Sequence, residues 1–305
     1  MTPRRNPVSS WRGAFLAVPL ALWLAVANSG GDGRPSPGAV RREVNLVYAD
    51  GSGVPRKLDL YLPQLTASRG LLIWIHGGAW REGSKDSPPI SSFTRDGYAV
   101  ASVDYRLSPA ARFPAQVHDI KAAIRFLRAR SLTYGYDARR IAILGASAGG
   151  HLAALVGVTN RNAELEGREG SNLDQDSDVQ AVVSYFGGSD LTTILAQSTP
   201  AGLALRRPAL QQLLGGLPDE LPALSRLASP VFHVDGRAVP LLLLHDDQDS
   251  QMPVEQAYEL MAAYQAHGLV AQFVLVPGAG HGGKEFFDDQ RNASVRAFLE
   301  RALGP

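Results

Sequence analysis

The 305-residue chain contains no cysteine. That excludes disulfides, thiolate metal sites, a cysteine nucleophile and a lipid anchor on an N-terminal cysteine. It is compatible with export, because nothing can mispair in an oxidising compartment. Charge imbalance is also lacking: 30 basic residues face 29 acidic ones, a formal net charge of +1. No global field therefore favours nucleic acid or an acidic membrane surface. Basic clusters interleaved with aromatics are absent downstream of the N-terminus, which removes the usual footprint of a nucleic-acid binder. What the chain does have is 45% hydrophobic and 19% charged residues. That composition is not disordered and can bury a substantial core.

The N-terminus reads as a secretory signal, residues 1–27. Arg4, Arg5 and Arg12 form a positive n-region, Ala14 to Ala25 an apolar h-region, and Ala25-Val26-Ala27 a small-x-small cleavage site. The apolar stretch is short for the roughly 20 residues that span a bilayer, and Pro19 interrupts it. Residues 28–39, rich in Gly, Ser and Pro, are expected to be a flexible leader. The mature chain is thus expected to be exported, periplasmic or extracellular, with no membrane contact after cleavage.

Residues 40–305 read as one domain. Val44–Tyr48 and Lys57–Leu62 alternate apolar and polar residues around Asp50-Gly51-Ser52-Gly53, predicting a β-hairpin. Continuous apolar runs at Leu71–Ile75, Ala99–Val103, Ile141–Leu144, Val179–Phe186, Val239–Leu244 and Phe273–Val276 predict buried strands. Helical periodicity is expected over Ala115–Arg130, Ala148–Val158, Val254–His267 and Lys284–Leu303. Strands alternating with helices imply an α/β fold: a mostly parallel sheet with an antiparallel edge and helices on both faces. The segment Leu191–Leu227, rich in Leu, Pro and Gly, breaks this rhythm. It is expected to form a small cap inserted over the carboxyl ends of the strands.

Two glycine-rich turns carry the chemistry. Gly145-Ala146-Ser147-Ala148-Gly149-Gly150 follows a strand and opens a helix, the context of a nucleophile elbow. There a serine hydroxyl is thrust above the sheet, and the glycines let strand and helix approach closely. Ile75-His76-Gly77-Gly78-Ala79-Trp80 also follows a strand and matches an oxyanion loop. The N–H groups of Gly78, Ala79 and Ala148 are the candidates to stabilise a developing negative charge. His76 is expected to shape its loop rather than to react.

The acid and base are sought after later strands. Leu241–Leu244 leads into His245-Asp246-Asp247-Gln248-Asp249, where Asp249 is the candidate acid and Asp247 the alternative. Val274–Val276 leads into Pro277-Gly278-Ala279-Gly280-His281-Gly282, where His281 sits on a loop from which a general base can reach a serine. The other histidines lie on helices, at a strand end or beyond the cap, positions that suit packing or solvation. The chain order Ser147, Asp249, His281 differs from the chymotrypsin and subtilisin orders. Asp174, Asp176 and Asp178 are spaced like the start of a calcium loop. Val179 stands where that loop needs Gly and Tyr185 where it needs Glu, so no metal is expected.

With these motifs in place the chain resembles the α/β-hydrolase esterases related to hormone-sensitive lipase. Within them it is most similar to the secreted bacterial feruloyl and acetyl-xylan esterase-like group. The resemblance rests on Leu58-Asp59-Leu60-Tyr61-Leu62-Pro63, the His76 loop, Asp104-Tyr105-Arg106-Leu107-Ser108-Pro109, Phe113-Pro114-Ala115, the Ser147 elbow and Pro277–Gly282. It spans Val44 to Leu303. It implies an eight-stranded sheet, a serine esterase activity without cofactor, and Ser147, Asp249 and His281 as triad. The acid turn of such enzymes usually reads His-Gly-x-x-Asp-Pro; here Asp246 replaces the Gly and Ser250 the Pro. The related lipases carry a Glu where Ala110 stands, and an N-terminal helical cap for which this chain has little room.

The expectation is a serine carboxylic-ester hydrolase acting on a small-molecule or polysaccharide-linked ester. Two other readings stay open at this level: an amide-cleaving hydrolase of the same fold, and a catalytically silent binding protein. Acyl and alcohol preference and oligomeric state are not legible in the sequence.

Overall fold

Apolar runs with two-residue periodicity become the strands. They are β1 (Arg41–Ala49), β2 (Arg56–Leu62), β3 (Leu71–Ile75), β4 (Ala99–Val103), β5 (Ile141–Ala146), β6 (Ala181–Tyr185), β7 (Leu241–His245) and β8 (Ala271–Leu275). The computed structural model describes residues 40–51, 53–64 and 68–304. The expected signal peptide (1–27) and leader (28–39) lie outside them. The described residues form an eight-stranded sheet in the order β1-β2-β4-β3-β5-β6-β7-β8. β2 runs antiparallel to both of its neighbours, and the other pairings are parallel. This is the mostly parallel sheet with an antiparallel edge expected from the alternation of strands and helices.

Successive side chains of a strand point to opposite faces, so the apolar runs feed two cores. Leu71, Ile73, Ile75, Ile141 and Ile143 enter one; Leu72, Trp74, Ala142 and Leu144 enter the other. The first core is covered by α1 (Ala115–Ala129), followed by the short α2 (Ser131–Tyr134), and by α3 (Ala148–Val158). A short turn of helix, α4 (Ala163–Glu166), leads on from α3. The inserted segment forms α5 (Ile194–Gln197), α6 (Pro200–Leu214) and α7 (Pro222–Leu227), and α8 (Glu255–Ala266) completes this side. The second core is covered by α9 (Asp289–Leu303) and by the 3₁₀ turn Ser91–Asp96. Each fully buried leucine carries a large share of a marginal stability. Leu144→Ala would cost about 2–5 kcal/mol through lost transfer energy and a cavity.

One predicted element is divided. The last helix, expected over Lys284–Leu303, is a 3₁₀ turn Lys284–Phe287 followed by α9. The break is Asp288: its backbone is extended and its carboxylate accepts the N–H of Arg291 at 2.8 Å, the geometry of an N-cap. A uniform periodic pattern hides such a cap when charged residues lie on both sides of it.

Candidate active site

The parallel strands end on one side of the sheet, and the site is built from the turns that follow four of them. β5 ends in the elbow. Ser147 has φ 54° and ψ −119°, a strained left-handed conformation for a residue with a Cβ. It is held there because its N–H donates to Tyr185 O (2.9 Å) on β6, while its carbonyl accepts the N–H of His151 (3.0 Å) in the first turn of α3. Gly149 explains the glycine signature: a Cβ at that position would stand 2.1 Å from Ile75 O. Only glycine lets α3 lie so close to the end of β3.

β3 ends in the second turn. Gly78 (φ 109°), Ala79 (φ 51°) and Trp80 (φ 60°) are all left-handed, so the chain reverses within three residues. Four side chains hold the reversal: His76, Tyr105, Trp80 and His151. His76 Nδ1–H donates to Gly77 O (2.8 Å), and the ring stacks on Tyr105 at 4.4 Å. Burial holds the His76 imidazole below its ordinary pKa, in keeping with a structural role. Trp80 Nε1–H donates to His151 Nδ1 (3.1 Å). An indole can only donate, so His151 carries its proton on Nε2 and gives it to Ala228 O (2.7 Å). Burial pushes the His151 pKa down to about 4, so the ring is neutral at pH 7 and ties the glycine turn to the segment after α7.

Two motif aspartates brace the same region from outside. Asp59 on β2 pairs with Arg42 and Lys85 (Lys85 Nζ 3.0 Å), and the Asp104 carboxylate accepts the Lys85 N–H at 2.7 Å. Arg106 grips Asp119 with Nε, Nη2 and its own backbone N–H, each within 2.9 Å.

β7 and β8 supply the remaining groups. His281, on the loop after β8, meets both neighbours. Its Nδ1–H donates to Asp249 Oδ2 at 2.7 Å, and its Nε2 accepts the Ser147 hydroxyl at 2.8 Å. A carboxylate only accepts, which assigns this tautomer. Asp249 Oδ1 takes the N–H groups of Gln251 (2.8 Å) and Met252 (2.9 Å). His245 Nε2–H, bound to Met252 O at 3.0 Å, also lies 3.4 Å from Asp249 Oδ2. Burial opposes ionisation of Asp249. The hydrogen bonds from His245, His281 and the Met252 N–H outweigh it and hold the carboxyl well below the usual range. Asp247, the alternative acid, is exposed two residues away.

Ser147, Asp249 and His281 are therefore brought together in one hydrogen-bonded line. Ala79, Trp80, Ala148, Leu205, Arg206, Ala209, Gln251 and Met252 border the cavity of about 50 Å³ that Ser147 and His281 open into. Of the three candidate oxyanion donors, Ala79 and Ala148 line this cavity and Gly78 sits immediately behind Ala79. Among the described residues no acceptor takes the N–H of any of the three. Sequence reasoning did not single out the Trp80–His151 bond, the contact of His245 with the acid, or Arg206. The last had a signal: an arginine on the apolar stripe of α6.

Comparison with known proteins identifies the family and the fold. The BD-FAE family model matches residues 58–264. Esterase LipC of Mycobacterium tuberculosis is 35% identical over 222 residues, covering 70% of this chain and 52% of that protein. A probable carboxylic ester hydrolase of the same organism, LipM, is 32% identical over 77% of this chain. The chain spans about half the length of these curated relatives. Among solved structures, a truncated carbohydrate esterase from gut microbiota superposes with TM-score 0.78 at 33% identity, covering 87% of this chain and 97% of that one.

Proposed function

Because this chain belongs to the BD-FAE family, with the α/β-hydrolase fold, we propose that it is a serine carboxylic-ester hydrolase whose nucleophile is Ser147. The observation that carries the reading is the Ser147–His281–Asp249 line of hydrogen bonds, 2.8 and 2.7 Å long. In the proposed reaction the Ser147 oxygen attacks the ester carbonyl as His281 Nε2 takes its proton. Asp249 keeps the imidazole in the required tautomer and stabilises the imidazolium. The carbonyl oxygen becomes an anion facing the N–H groups of Ala79 and Ala148, with Gly78 contributing to the same turn. Collapse expels the alcohol, which receives the proton from His281. The serine is left acylated. Water then attacks the acyl-enzyme with His281 again as base, and the acid leaves.

The cavity beside Ser147, about 50 Å³, favours a short acyl group: at roughly 10–15 Å³ per water-sized sphere it takes only a few non-hydrogen atoms. Likeness to a carbohydrate esterase supports sugar-linked acyl esters as the natural substrate class. The pattern of residues 1–27 supports export, which N-terminal sequencing of the protein recovered outside the cytoplasm would test.

The test of the activity is hydrolysis of p-nitrophenyl esters from acetate to decanoate, with phosphonate labelling. Turnover that falls with acyl length, lost on labelling of Ser147, is the expected result. No turnover and no label would overturn the reading.

A further inference from the structure

We infer that Arg206 makes this cleft selective for esters that carry a carboxylate close to the scissile bond. The inference rests on the esterase reading above and adds the substrate class.

Arg206 sits where the fold calls for an apolar side chain. The buried stripe of α6 is Gly202, Arg206, Ala209, Leu210, Leu213 and Leu214, and Arg206 itself is only 7% exposed. Taking a guanidinium out of water is costly unless a counter-charge meets it. The other buried cations obey that rule. Arg56 pairs with Asp119 and Glu169, Lys85 with Asp59, and Lys121 and Arg125 with Glu166. Arg206 does not. Its Nε donates to Ser198 Oγ (3.0 Å) and its Nη1 to Met252 Sδ (3.4 Å), both neutral. Among the described residues no carboxylate lies within ion-pair distance of it, and Nη2 has no acceptor. Burial lowers its pKa to about 10, against the field of Asp249, so it stays charged at neutral pH. Asp249 is already committed to His281, His245 and two backbone N–H groups.

Arg206 borders the cavity onto which Ser147 and His281 open, its Nη1 lies against Met252, which lines the same cavity, and its helix is fixed in place. Thr199 caps α6 by accepting the Gly202 N–H (3.0 Å) and donates its hydroxyl to Ser250 O (2.9 Å), next to Asp249. A Cβ on Gly202 would stand 2.9 Å from that same Ser250 carbonyl. The helix therefore lies against the acid turn, and Arg206 is held in register with the Ser147–His281 pair. A substrate carboxylate would supply the missing counter-charge through charge-assisted hydrogen bonds to the free donors. The shared chemistry, a carboxylate, could reside on the acyl or on the alcohol side of the ester.

Two matched pairs separate these sources. Phenyl hydrogen succinate against phenyl succinamate places the charge on the acyl side. 4-Acetoxybenzoate against 4-acetoxybenzamide places it on the alcohol side. Each kcat/KM is normalised to hydroxide hydrolysis of the same compound. The expected result is a preference for the acid over its amide of about tenfold or more in at least one pair, read mainly in KM. That ratio should collapse in Arg206→Gln and be partly kept in Arg206→Lys, with thermal unfolding recorded for both. Ratios near or below one in the full-length wild type, which need no variant, would overturn the inference. So would an unchanged ratio in a folded Arg206→Gln. Loss of the esterase reading is a separate outcome, seen as absence of phenyl acetate turnover.

Discussion

The carboxylate of Asp246 accepts the backbone N–H of Gly280, joining the turn after β7 to the loop that carries His281. Asp246 is fully buried, and its other oxygen accepts the N–H of Gln248 at 3.0 Å. Burial opposes its ionisation, but hydrogen bonds from the Gln248, Gly280 and Gly278 N–H groups hold its pKa below the ordinary value. It stands where the resemblance leads one to expect glycine, so a residue that departs from the usual pattern braces the loop one position from His281.

Asp246→Ala should therefore lower kcat by roughly 10- to 100-fold through misplacement of the base, with KM changed far less. Asp246→Asn, which keeps an acceptor, should recover part of the loss. Steady-state kinetics on a short-chain p-nitrophenyl ester checks this; equal losses in the two variants would assign the effect to the charge instead.

The acid assignment has a sharp contrast available. Asp249→Asn offers His281 the wrong tautomer and should lower kcat by about 10⁴-fold. Asp247→Asn, at an exposed position, should leave kcat within about twofold, as surface changes away from such features do. Reversed results would move the acid to Asp247.

Acid should destabilise the protein through His151. The ordinary imidazole value of 6.5 falls to about 4 in the folded state. Between those values the unfolded chain binds the proton that the folded chain refuses, so stability is fully present above pH 6.5 and declines as pH falls towards 4. The total is on the order of 3 kcal/mol. Denaturant unfolding of wild type and His151→Gln across that window should show the slope flattening in the variant. Loss from the Asp249 carboxyl, whose folded pKa is also lowered, is confined to more acid pH.

Gly149→Ala should be severely destabilising, because the added methyl collides with the Ile75 carbonyl. A loss of more than about 3 kcal/mol, or failure to fold, is expected. Gly51→Ala is the control: no atom lies within 4 Å of its added Cβ, so its melting temperature should stay close to that of wild type.

The order of strands and helices, the elbow at Ser147, the turn at Gly78 and the loop at His281 are all legible in the sequence. Each is a local pattern, set by side-chain periodicity or by a turn that tolerates few residue types. The break at Asp288 escaped because a cap is a choice among several neighbouring acids. What only tertiary structure decided depends on distance between segments far apart in the chain. Asp249 and Asp247 share one acidic turn, and the fold alone buries the first against His281 and leaves the second in water. Trp80 and His151 are 71 residues apart, and nothing in either neighbourhood announces their bond. Arg206 is one arginine among many until α6 packs against the acid turn and leaves it without a counter-charge beside Ser147. Local propensity is written residue by residue, whereas burial and charge pairing belong to the assembled chain.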